Sequence, residues 1–166
     1  LGQRGDGGPG GKRTEEAVLA ALVWLKNHQS PDGMWDSDGF SSNCKLNTCD
    51  GPGNALNDVG LTGLALLCYL GAGYTHDVGA FEDTVKSGLK YLISMQGEDG
   101  CFGDQVGQHF VYNHACAALA MAEAYGMTGV KAFKDPAQKG IQFVLKAQNP
   151  YSAWRYAVPP DGDNDT

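Results

Sequence analysis

A segment that occurs three times along the chain limits the folds that this protein can adopt. The three copies align on a shared glutamine and run over 15–35, 82–102 and 136–154. In each copy an aromatic residue lies five positions before the glutamine and another lies six positions after it. Apolar residues before the glutamine recur at i, i+4 and i+7, the spacing of one buried helix face. Each copy therefore predicts an amphipathic helix, followed by a turn that returns an aromatic ring to it.

Two further segments, 58–70 and 111–125, are apolar or small on nearly every face. A helix of this kind must be covered on several sides, so we expect these two to be inner helices. The repeat helices should lie outside them, because they carry Lys26, Lys86, Lys90, Lys139 and Lys146. No stretch shows the sustained apolar–polar alternation of a strand, so the predicted class is all-α.

Capping residues predict several helix ends. Thr14 is expected to begin the first helix, and Asp135 with Pro136 the third repeat helix. Gly73 and Gly126 stand where the inner helices would end with a left-handed residue.

Charge and hydropathy exclude two classes of partner. The chain has 12 Lys and Arg against 19 Asp and Glu, a net charge of −7 at pH 7. A negative surface repels nucleic-acid phosphates, and no apolar run reaches the roughly 18 residues of a membrane span. The sequence therefore predicts no nucleic-acid partner and no membrane span, and it indicates no compartment.

The repeat resembles the QW motif of squalene–hopene and oxidosqualene cyclases and the repeat of protein prenyltransferase β subunits. Residues 29–35, QSPDGMW, match it fully, 96–102, QGEDGCF, have Phe for Trp, and 148–154, QNPYSAW, lack the Asp-Gly turn. The structural motif residues would be Gln29, Trp35, Gln96, Phe102, Gln148 and Trp154. The repeat also resembles that of uncharacterised bacterial proteins described as carrying prenyltransferase/squalene-oxidase repeats. The resemblance implies a partial (α/α) toroid of alternating outer and inner helices, about half of a complete ring.

The repeats divide the chain into three regions. Residues 1–13 are Gly-rich and expected to be flexible, 14–156 form the repeat domain, and 157–166 form an acidic tail. The tail leads to the place where a third inner helix would begin, so the apolar stripe of the third repeat has no partner. We therefore expect either self-association or a longer protein that supplies the rest of the ring.

Candidate ligand-binding residues lie where the inner helices begin. Tyr112, Asn113 and His114 begin the second inner helix, and Asn57 and Asp58 hold the equivalent place on the first. These helix starts would surround one mouth of a toroid, where they could meet a ligand.

His114 aligns in this comparison with Leu61. An imidazole near a helix amino end should have a lowered pKa, and neutral His can accept a proton or bind a metal. A buried His bonded to a loop carbonyl is the alternative.

No cofactor is predicted, but the sequence leaves two zinc arrangements open. Cys44 and Cys49, in the polar loop 36–57, could form a disulfide or half of a zinc site, although no second pair has zinc-ribbon spacing. Asp99 and Cys101 resemble the Asp-x-Cys zinc ligands of prenyltransferases, although the repeat places them in a turn.

The tail 161–166, DGDNDT, resembles the acid motif Asp-x-Asp-Asp-Thr of squalene–hopene cyclases, but it has an extra residue between its acids. A solvated loop, or a weak calcium site, fits this pattern better than a proton donor.

Two functions follow from these features. The first is a repeat domain that binds a ligand or partner on its concave face. The alternative is a terpene-cyclase- or prenyltransferase-like enzyme, whose cavity needs aromatic walls to stabilise cations. The inner helices offer mostly Leu, Ala and Gly, with Tyr69 and Tyr125 as the aromatic residues well inside, so the first function is favoured.

Overall fold

The computed structural model describes residues 9–150 and 153–160, which contain five α-helices. They are α1 (Pro9–Asn27), α2 (Asp58–Gly71), α3 (Glu82–Ser94), α4 (Phe110–Thr128) and α5 (Lys131–Ala147). Two short 3₁₀ turns, Phe40–Asn43 and Ala55–Asn57, interrupt the long connection between α1 and α2. The described residues contain no strand, only an isolated bridge between Gln96 and Phe102. The predicted all-α class is confirmed. None of the described helices has both the length and the apolar composition needed to cross a bilayer.

Helices α2 and α4, the two predicted inner helices, pack directly against each other. Small residues permit this close approach, since a Cβ added at Gly63 would lie 2.7 Å from the backbone nitrogen of Ala117. Buried side chains from both helices, including Leu66, Tyr69 and Met121, join one hydrophobic core. The predicted inner helices therefore form the most extensive helix pair among the described residues.

The amphipathic helices pack around this pair. Helix α3 buries Val85, Leu89 and Leu92 in the core. Helix α1 contributes the buried Leu22, whose carbonyl oxygen accepts a hydrogen bond from Tyr69 Oη at 2.8 Å. The five lysines that the sequence placed on the outer faces of the repeat helices are all exposed, as expected for helices with one buried face.

The shared glutamine connects successive repeat helices. Gln29 Nε2 donates to the carbonyl oxygen four residues ahead in its own turn at 2.8 Å and to Thr84 O of α3 at 3.0 Å. Gln96 Nε2 donates to the equivalent carbonyl of its turn at 3.1 Å and to Pro136 O of α5 at 2.9 Å. Thr84 and Pro136 hold the same place relative to the glutamines of the second and third repeats. The two connections are therefore equivalent.

The aromatic residue after each turn returns to the preceding helix. Trp35 Nε1 donates to Leu25 O, and Trp154 Nε1 donates to Val144 O, both at 2.8 Å. Their surroundings differ, because Trp35 is 3% exposed and Trp154 is 39% exposed. The third repeat thus forms the same tryptophan hydrogen bond, but its tryptophan ring is more exposed to solvent.

Three predicted helix ends differ from the structure. Helix α1 begins at Pro9 instead of Thr14. Helix α4 continues past Gly126 and ends at Thr128, and the left-handed residue that follows it is Gly129, with a φ of 65°. Helix α5 begins five residues before Pro136, which costs it one backbone hydrogen bond because proline has no N–H. Of the predicted flanking regions, residues 1–8 and 161–166 lie outside the described residues.

Candidate functional site

Helices α2 and α4 have equivalent faces. The face on α2 is covered by α4, whereas the face on α4 is exposed. Thr62 on α2 and His114 on α4 each accept the backbone N–H of the aromatic residue after a repeat turn, which fixes the register between the two helices. In this register Gly60, Gly63 and Leu67 on α2 correspond to Tyr112, Ala115 and Leu119 on α4. On α2 both glycines are buried against α4, and the leucine is half-buried on the core. On α4 the tyrosine is 53% exposed and the leucine 57% exposed. Within the described residues, the α4 face lacks the neighbour that α4 itself provides to α2.

The uncovered face forms one wall of a cavity of about 610 Å³. Helix α5 and the segment after it form the other wall. The lining is largely apolar, with Val111, Ala115, Val144 and Trp154, and it includes Arg155. A cavity of this size is in the range of ligand-binding pockets. We call the uncovered α4 face together with this cavity the α4–α5 groove.

The predicted mouth residues are divided between two surroundings. Tyr112 lines the groove. Asn113 faces α2 instead, where its Nδ2 donates to Leu56 O at 2.6 Å. Asn57 is exposed and Asp58 is half-buried at the start of α2. The structure thus brings Asn113 to the beginning of α2, near Asn57 and Asp58. Of these four candidates, Tyr112 is the one that lines the groove.

Asp58 lies in a carboxylate cluster with Asp36 and Asp38. Its Oδ1 accepts the Ser37 N–H at 2.8 Å, and Asp36 Oδ1 accepts the Asp38 N–H at 3.1 Å. Burial raises the pKa of Asp58, and the neighbouring carboxylates raise it further, while the bonds from Ser37 oppose the rise. The bond from Asp38 to Asp36 is typical of the turns that Asp residues form with nearby backbone, whereas the bond from Ser37 ties the loop before α2 to the first residue of α2.

His114 is fully bonded inside the protein. It is 1% exposed, its Nδ1 accepts the Phe102 N–H at 3.0 Å, and its Nε2 donates to Gly140 O at 3.0 Å. The rings of Phe102 and Phe143 lie beside it, with centroids 5.7 Å and 4.6 Å away. Burial lowers its pKa, which favours the neutral ring. Both nitrogens are occupied, so His114 joins α4 to the preceding turn and to α5 and has no lone pair left for a ligand.

In the structure, the α2 residue equivalent to His114 is Thr62, and not Leu61 as the sequence alignment predicts. Thr62 Oγ1 accepts the Trp35 N–H at 3.0 Å, just as His114 accepts the N–H of the equivalent aromatic residue. The one-residue shift has a simple origin, because α2 and α4 have no shared glutamine that would fix the register of their sequence alignment.

Asp99 and Cys101 form a turn. Asp99 Oδ1 accepts the Cys101 N–H at 3.1 Å, and Asp99 Oδ2 accepts a bond from Gln105 Nε2 at 2.7 Å. Cys101 is 1% exposed, and burial raises the pKa of its thiol to about 12. Both oxygens of the Asp99 carboxylate are bonded, one within the turn and one to Gln105, and Cys101 is buried beside it, so the structure places these two residues in the turn that the repeat predicts.

A group of side chains that could hold a metal ion lies at the end of α1, and the sequence analysis named only the two cysteines of it. It consists of His28, Cys44 and Cys49, and the two cysteines are not bonded to each other. A hydrogen bond from Cys49 is the main cause that lowers the pKa of Cys44 to about 5, while the bond to Cys44 raises the pKa of Cys49. The sequence indicated the cysteine pair, but His28 had no signal beyond its place beside the repeat glutamine.

Comparison of the chain with models of protein families, with curated proteins and with solved structures yields no match. The acidic tail motif at 161–166 lies outside the described residues. A proposed function for the chain therefore depends on its own residues and their geometry.

Proposed function

We propose that this chain is a helical-repeat scaffold of the QW type that binds an α-helix in the α4–α5 groove. The equivalent glutamine bridges and tryptophan bonds support the scaffold. The observation that carries the binding function is the pair of equivalent faces, one buried by a helix and the other exposed. Because the apolar helix α4 covers this face on α2, we expect the equivalent face on α4 to bind another apolar helix.

The packing of α4 on α2 indicates what this helix should look like. Helix α4 contacts the glycines of α2 through Asn113, Cys116 and Ala117, so its contact stripe is small and spaced at i, i+3 and i+4. Small residues let two helices approach closely. Because Tyr112 and Ala115 replace glycines, the bound helix should lie farther from α4 than α4 lies from α2. The volume of the groove provides that space.

The alternative, a terpene-cyclase- or prenyltransferase-like enzyme, has less support. Tyr112 and Trp154 do provide aromatic rings that could face a cation. However, no carboxylate lines the cavity in the part of the chain that the structure describes, so no proton donor of that kind is present there. Both ring nitrogens of His114 are already bonded.

A labelled peptide of residues 110–128 provides a direct test, because α4 is the helix that covers such a face in this chain. We expect saturable binding to the folded protein, measured by fluorescence anisotropy. Leu119→Glu should weaken binding by at least about tenfold, since it places a charge in an apolar contact. Val78→Glu is the matched control, because Val78 is 54% exposed and lies outside the groove.

Two results would contradict the proposal. One is the absence of peptide binding to the folded wild type, and the other is an equal loss in Val78→Glu. Sedimentation of the unliganded protein tests a different occupant. A wild-type dimer that Leu119→Glu dissociates would assign the groove to a second copy and overturn the proposal of a separate helix.

A further inference from the structure

One imidazole and two thiols meet where α1 ends and the loop before α2 folds back. His28 is 5% exposed, Cys44 is 7% exposed, and Cys49 is half-buried. Their ligating atoms all lie within 4.8 Å of one another, and His28 Nε2 is 3.3 Å from Cys49 Sγ. Tetrahedral zinc bonds imply a nitrogen–sulfur separation of about 3.6 Å and a sulfur–sulfur separation of about 3.8 Å. The three side chains therefore already approach the spacing of a zinc site.

The other nitrogen of His28 orients the ring for metal binding. His28 Nδ1 lies 2.7 Å from Trp24 O, which can only accept, so Nδ1 carries the proton and the Nε2 lone pair faces the thiols. The Trp24 ring stacks on the imidazole with centroids 3.9 Å apart and planes at 23°. Metal-binding histidines characteristically bond their second nitrogen to a carbonyl or carboxylate. His28 thus has the tautomer and orientation of a ligand.

The chemical nature of the three side chains determines which metal ion they would bind best. Imidazole and thiolate suit zinc, whereas calcium and magnesium prefer oxygen ligands. Two thiolates also balance the charge of Zn²⁺, so the occupied site would carry no net charge, as a largely buried position favours.

We propose that His28, Cys44 and Cys49 bind one zinc ion, with a fourth position open to water or an exogenous ligand. In the described ranges, no further Cys, His, Asp or Glu joins the three, and sites with three protein ligands keep an exchangeable position. The ion ties the loop 36–57 to the end of α1 and stabilises the folded chain by binding it. This site does not depend on the function proposed for the α4–α5 groove.

Cobalt titration of the full chain, freed of metal and kept reduced, tests the site. We expect one Co²⁺ per chain, a thiolate-to-cobalt charge-transfer band, and displacement by Zn²⁺. Cys44→Ser, Cys49→Ser and His28→Gln should each weaken binding by at least about tenfold. Cys68→Ser is the matched control, because Cys68 is a free, exposed thiol on α2 outside the cluster.

A second measurement needs no variant. Alkylation of the wild-type protein, mapped by mass spectrometry, should show that zinc slows the labelling of Cys44 and Cys49 at least about tenfold and leaves Cys68 unchanged. The proposal is overturned if the cobalt complex lacks the charge-transfer band, if Cys68→Ser loses binding equally, or if zinc protects neither thiol.

Discussion

Thr62 on α2 and His114 on α4 accept equivalent hydrogen bonds, each from the backbone N–H of the aromatic residue after a repeat turn. The donors are Trp35 and Phe102, and both bonds are 3.0 Å long. A buried backbone N–H needs a partner, and the apolar helix that follows each of these turns supplies one at the same register. The imidazole is longer than the hydroxyl, so His114 also reaches Gly140 O of α5.

The lowered pKa of His114 predicts a loss of stability at acidic pH. Because its pKa is below 6.5 in the folded state, the unfolded state binds more protons in this range. This contribution to the free energy of unfolding is fully present above about pH 6.5 and decreases below it, by at most about 1.4 kcal/mol per pH unit. Urea unfolding on both sides of that pH should show a smaller decrease in His114→Gln than in the wild type. The other three histidines are present in both chains, so an identical decrease would exclude this role for His114.

Gln96→Ala should destabilise the chain by about 1–3 kcal/mol, because it removes two hydrogen bonds to buried carbonyl groups. One of these bonds, to Pro136 O, joins two repeat helices. Gln138→Ala, on the exposed side of α5, should change the free energy of unfolding by less than about 0.5 kcal/mol. Denaturant unfolding of the two variants makes the comparison. Equal effects would show that the bridge does not contribute to stability.

Gly33→Ala should cost more than Gly107→Ala. Both glycines have positive φ, 100° and 69°, which costs an alanine about 1 kcal/mol or more. A Cβ at Gly33 would also lie 2.3 Å from Ser87 O of α3, whereas a Cβ at Gly107 would meet nothing within 4 Å. Thermal unfolding should therefore place Gly33→Ala below Gly107→Ala by at least about 1 kcal/mol. A reversed order would contradict the close approach of turn and helix.

Two glycines of α2 should respond oppositely to the same change. Gly63→Ala should destabilise the chain by about 1–3 kcal/mol, because its Cβ would press on the α4 backbone. Gly71→Ala should stabilise it by up to about 1 kcal/mol, since alanine favours the helix and nothing lies within 4 Å. Calorimetry of both variants gives the two signs. A Gly63→Ala variant as stable as the wild type would mean that α2 and α4 can move apart at little cost in free energy.

Much of the helical framework could be predicted because its signal is local. The apolar spacing that predicted α3 identified Val85, Leu89 and Leu92, all of which are buried. Helix ends were less predictable, as Gly126 shows. A glycine permits a left-handed conformation but does not require one, and α4 continues through Gly126 to Thr128, after which Gly129 adopts that conformation.

The all-α class, the glutamine register and the division into amphipathic and apolar helices could all be predicted from the sequence, since these depend on residues within a few turns of one another. Tertiary structure alone decided that His28 meets Cys44 and Cys49, that Thr62 corresponds to His114, and which face of α4 stays open. The reason is physical. Helical periodicity indicates which face of a helix is buried, but the path of a long loop and the neighbour that covers each face depend on packing between distant segments.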